Sequence, residues 1–176
     1  MVTPEPARPE RLATAIQSLR HDPDTPTLEE HVRHGLPVLV HNSRPDISTP
    51  SALDRLDSAL ALIDRYTPDR FARLGMDFVA ILVRRYACRA AYYPDLGVCL
   101  IELTFLVHPD ITPAQVGASI VHEAVHARLG AAGIKDGRKT AAADEEVAPT
   151  IDWRLAAERV AQVDERDRWR SDGRSR

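Results

Sequence analysis

The sequence is short of most devices that would narrow its role from composition alone. Two cysteines, Cys88 and Cys99, stand in 176 residues. They are too few for a disulfide framework, so a reduced, cytoplasmic setting is expected. Neither has a second cysteine at chelating spacing, and both read as small buried apolar side chains. There is no excess of basic charge. The formal net charge is -3, with acids and bases interspersed, which gives a nucleic-acid partner no electrostatic support. Long apolar runs are missing too. The longest, Val98 to Val107, contains Glu102 and has about half the length that a membrane helix needs. The first residues, Met1 to Glu10, are rich in proline and charge and do not resemble a secretory leader. A soluble intracellular protein with no membrane partner is the expectation.

What is present is ordinary globular material, 44% hydrophobic and 28% charged, in a chain long enough for one domain with a real core. Residues 1–26 read as a loosely ordered arm with one short helix over Arg11–Arg20. Residues 27–170 read as a single domain, and 171–176 as a polar tail. Leu36 to His41 (LPVLVH), bounded by Gly35 and the Asn42–Pro45 cluster, predicts a strand. Ser51 opens a helix in which Leu53, Leu56, Leu60 and Ile63 recur at helical spacing, and Thr67-Pro68-Asp69 announces another. Asp77–Tyr86 and Gly97–Val107 predict two strands paired as a hairpin, with Tyr92, Tyr93 and Pro94 in the loop between them. Thr112-Pro113 starts a helix that runs to about Gly130, and a last helical region spans roughly Thr140–Trp169, disturbed at Pro149.

The chemistry concentrates in that penultimate helix, at Val121-His122-Glu123-Ala124-Val125-His126. Residues four apart share one helix face, so the two imidazoles can hold one tetrahedral metal ion. Glu123 is offset enough to miss the metal yet reach a water bound to it, and so suits a general base. With seven histidines and ten glutamates in the chain, chance supplies His-Glu-x-x-His about once or twice in a hundred such sequences. Val116, Ile120, Ala124 and Ala127 form one apolar stripe, and Val121, Val125 and Leu129 another. Gln115, Ser119, His122 and His126 remain as a narrow polar stripe, which predicts a buried helix and buried histidines. The bland reading is two hydrogen-bonded core histidines beside a solvated glutamate. A third protein ligand is needed. No histidine follows His126, which leaves Asp136, Asp144, Glu145, Glu146 and Asp152 as candidates.

These residues resemble the gluzincin branch of zinc metallopeptidases, and the stretch HEAVHARLGAAGI is similar to that of small bacterial HExxH proteins. The resemblance covers roughly Ala80 to Val163. It implies a third ligand on the next helix, about twenty residues beyond the second histidine, where Glu146 stands and Glu145 is one short. It also implies a zincin-like α+β fold with a small sheet of about three strands, packed by a metal-binding helix and a Glu-bearing helix. A strand before the active-site helix, here Gly97–Val107, would accept a peptide by strand addition. Nothing downstream of Glu146 is a His or Tyr, so Tyr92, Tyr93 or His108 would have to steady an oxyanion from upstream, against a bland reading as packing or turn residues.

The leading expectation is thus a zinc-dependent hydrolase, a metallopeptidase acting on a peptide or protein, with metal ligands His122, His126 and Glu146 and base Glu123. The competing one is a non-catalytic zinc-binding module that uses the metal for fold or partner recognition. Three further histidines read as structural: His31 and His34 at a solvated helix end, and His41 as a polar cap to its strand.

Overall fold

Residues 8–23 and 27–133 are described by a computed structural model, in which one mixed sheet of five strands is packed by five helices. The sheet begins with an antiparallel hairpin of β1 (Glu29–Arg33) and β2 (Leu36–His41). Its turn residues His34 and Gly35 take φ of 49° and 77°, the left-handed pair that a two-residue hairpin loop requires. This corrects the reading of His31 and His34 as a helix end. They lie on an edge strand and in its turn. His31 Nε2 is 3.3 Å from Glu29, and His34 sits edge-on to Phe71 beside Asp57. The strand was hidden because β1 is mostly charged and at most half-buried, so it carries no apolar alternation.

From β2 the chain enters α2 (Thr49–Tyr66), two residues before the expected start, with the Ser48 hydroxyl accepting from the Ser51 amide. Leu53, Leu56, Leu60 and Ile63 are all buried, as their spacing predicts. Thr67 then leads into α3 (Pro68–Asp77), and the chain returns along β3 (Ala80–Arg84), parallel to β2.

The next stretch departs from expectation. The loop that was to close a hairpin contains a strand of its own, β4 (Ala90–Tyr93), which takes the outer edge. Only then does β5 (Val98–Glu102) insert between β3 and β4, parallel to the first and antiparallel to the second. The order is β1-β2-β3-β5-β4, so the sheet has five strands rather than about three. Gly97 makes the β4–β5 turn possible. It has φ of 65°, and a Cβ there would come within 2.8 Å of a Val79 methyl. The second half of Gly97–Val107 is also not a strand but a helix, α4 (Leu103–Val107). An apolar run cannot separate a buried strand from a buried helix. Here Glu102 decides: its carboxylate accepts from the Phe105 amide at 2.6 Å and the Thr104 hydroxyl at 2.5 Å, capping a helix.

The two sheet faces are both covered. Val38, Val40, Ile81, Val83, Cys99 and Ile101 pack against α2, α4 and α5 (Pro113–Ala131) in the larger core. Leu39, Leu82, Val98 and Leu100 face the other way, against Ala15 and Leu19 of α1 (Arg8–Arg20). Among the described residues no helix is long and apolar enough to cross a membrane.

Candidate metal centre

The helix that carries the motif is fixed at both ends and along one side. Thr112 and Gln115 form a capping box: the Gln115 amide donates to the Thr112 hydroxyl at 3.2 Å and the Thr112 amide to the Gln115 side chain at 2.8 Å. Just upstream, Arg55 of α2 donates to the Leu106 carbonyl at 3.2 Å and the His108 carbonyl at 2.9 Å, and also to that of Ile111, which clamps the approach to α5. Midway, Gly117 lets the two helices close up, since a Cβ would lie 3.3 Å from both the Ala59 carbonyl oxygen and Ile63. Near the C-terminus, Arg128 is ion-paired with the nearly buried Asp77 at the end of α3. Burial pushes the Asp77 carboxyl above its ordinary range, against the opposing pull of Arg128.

One stripe of α5, with Val116, Ile120, Ala124 and Ala127, is buried in the core as expected. The second stripe is not. Val121, Val125 and Leu129 are half-exposed among the described residues, and so are His122 and His126. The histidines therefore occupy a flank of the helix rather than the interior, because α5 packs on the sheet with a single face. The glutamate of the motif, by contrast, is buried at 6% exposure, not the solvated side chain of the bland reading.

His122 and His126 bring their Nε2 atoms to 2.9 Å, with ring centroids 4.5 Å apart and planes at 78°. Two imidazole nitrogens on one tetrahedral zinc, each at 2.0–2.1 Å, stand about 3.3 Å apart, so the pair needs a shift of only a few tenths of an ångström to share an ion. A ligand atom of Glu123 and one from each histidine lie within 4.8 Å of one another, and theirs is the metal-ligand group found among the described residues. The donor set, two neutral nitrogens and an adjacent carboxylate, fits zinc. The same carboxylate acts on both thiols. Burial raises the Cys99 and Cys88 thiols, and the charge of Glu123 raises them further. Cys99 is buried as expected, whereas Cys88 is exposed on the β3–β4 connection, a correction to its reading.

The third-ligand candidates Glu146, Glu145, Asp136, Asp144 and Asp152 lie outside the described residues, as does Pro149. The upstream oxyanion candidates separate by position. Tyr92, opposite Cys99 in register, packs on the α5 side of the sheet. Tyr93 points to the other face, and His108 caps the end of α4 with its Nδ1 accepting from the Asp110 amide. The strand running into the motif, β5, is interior. β4 is the edge beside α5, a strand that the sequence concealed because all four of its residues are half-buried.

No family model, no curated protein and no solved structure matches the chain.

Proposed function

We propose that this chain is a zinc-dependent hydrolase, a metallopeptidase of gluzincin type and zincin-like fold, whose metal is held by His122, His126 and Glu146. The observation that carries the reading is the convergence of the two Nε2 atoms at 2.9 Å beside a buried carboxylate. A structural metal site has no use for Glu123, whereas a hydrolytic one needs a base at that position. Bound zinc would supply Lewis acidity, polarising a substrate carbonyl and making a water easier to deprotonate.

The chain's own residues account for the rest. Glu123 takes a proton from the attacking water and returns it to the leaving amine. Its burial keeps bulk water from competing for that proton. Among the described residues β4 is the outer strand on the side of α5, and its edge would offer backbone groups to an extended peptide running past the histidines by strand addition. Tyr92, on the α5 side of that strand, is the upstream candidate to donate to the developing oxyanion. Burial raises its phenol, so it stays a protonated donor at neutral pH.

The test is hydrolysis of an unstructured peptide mixture by the zinc-loaded protein and by Glu123→Gln, with zinc content measured in both. Zinc in both and cleavage only by the wild type supports the proposal. Zinc in both with cleavage by neither leaves the non-catalytic module as the reading, and equal cleavage removes Glu123 from the role of base.

A further inference from the structure

The far side of the sheet carries a second candidate site, unrelated to the histidines. Beyond the C-terminus of α1 a cavity of about 260 Å³ opens against β3 and β5. Leu82 and Leu100, paired in register, form its floor, and Leu96 closes one side. The Tyr86 and Tyr93 rings, edge to face at 5.9 Å, line the cavity wall. Arg84 stands two residues after Leu82 and therefore projects on the same face, at the C-terminal end of a parallel strand. Ligands of open α/β sheets gather at that end. Its guanidinium is 2.9 Å from Asp22, with side-chain exposures of 12% and 35%.

We propose that this cavity binds a free α-amino acid with an apolar side chain, its carboxylate against Arg84, its ammonium against Asp22 and its side chain over Leu82, Leu96 and Leu100. The two protein charges select the ligand. A simple anion attracted by Arg84 would also face Asp22, and a simple cation would face Arg84. A zwitterion presents each with its opposite and adds no net charge to the site. The apolar floor excludes a second polar group at the other end. The cavity volume of about 260 Å³ suits a small molecule of leucine's size. Burial and the neighbouring Tyr86 hydroxyl push the Tyr93 phenol up, so it remains a neutral hydrogen-bond donor on the cavity wall.

The experiment is titration of the full chain with L-leucine, N-acetyl-L-leucine and L-leucinamide, followed by calorimetry and by amide shifts. L-leucine should bind and move the amides of Leu82, Tyr93 and Leu100. Blocking the ammonium or the carboxylate should weaken binding by about tenfold to a hundredfold, the effect of losing one charge-assisted contact. Asp22→Asn should act like the blocked ammonium, and Leu96→Trp should fill the cavity and abolish binding while the fold persists. His122→Ala should leave binding unchanged. Absence of binding, shifts confined to other residues, equal affinity for N-acetyl-L-leucine, or undiminished binding by Leu96→Trp would each overturn the proposal.

Discussion

The Nε2 atoms of His122 and His126 stand 2.9 Å apart across one turn of α5, with ring planes nearly perpendicular. At that distance the two nitrogens must share something, either a proton or a cation. Two protonated imidazoles could not keep the arrangement, because each N–H would face the other.

The first prediction follows directly. The protein should bind close to one zinc, and His122→Ala or His126→Ala should abolish binding. Full zinc content in the double variant would sink the metal centre. Imidazole ligates only as the neutral base, so acidifying the buffer should release the zinc.

A second prediction concerns the two thiols. Cys88 is exposed and Cys99 fully buried, so native metal-free protein should react with one equivalent of iodoacetamide. Thiolate is the reactive form. Partial desolvation by its neighbours and then the Glu123 charge raise the Cys88 thiol, so its pH–rate curve should lie at higher pH than that of a free cysteine. Glu123→Gln removes one of these causes and should move the curve towards lower pH. A curve unmoved by the substitution would separate Glu123 from Cys88.

The glycines of α5 give a third, on stability. Among the described residues nothing lies within 4 Å of a Cβ at Gly130, so Gly130→Ala should stabilise the protein by about 0.5–1 kcal/mol through helix propensity. Gly117 abuts the Ala59 carbonyl and Ile63, so Gly117→Val should cost about 1–3 kcal/mol as the helices are forced apart. Chemical denaturation measures both. Similar effects at the two positions would show that α5 does not pack closely on α2.

How much of this was legible beforehand depended on the kind of signal. The motif helix was readable because Thr112, Pro113 and Gln115 mark its start and His122 and His126 fall one turn apart, all local facts. α2 was readable from its leucine spacing. The sheet was not, because pairing is a long-range property. β4 has only four half-buried residues and β1 is mostly charged, yet both are strands because β5 and β2 offer them partners. The helical fate of Leu103–Val107 rested on one capping carboxylate inside an apolar run. The half-exposure of the histidines could not be seen either. A helical wheel shows which residues share a face but not how many faces are covered.

The last prediction concerns the third ligand. Two histidines from one helix rarely hold a catalytic zinc alone, and His122, His126 and Glu123 form the metal-ligand group found among the described residues. If Glu123 is the base, the further ligand must come from another segment. Glu146 lies at the gluzincin spacing of about twenty residues after His126, and Glu145 one residue short of it. On a helix, successive side chains point about 100° apart, so only one of the two can face the Nε2 pair. Removing a true ligand should weaken zinc binding by orders of magnitude, whereas removing a solvated glutamate should change almost nothing. Glu146→Ala should therefore lose zinc and Glu145→Ala keep it, as read by metal content after dialysis against a weak chelator. The reverse result would keep the metallohydrolase and shift its register by one. Zinc retained in both would end the gluzincin resemblance at its third ligand and turn attention to Asp144 and Asp152.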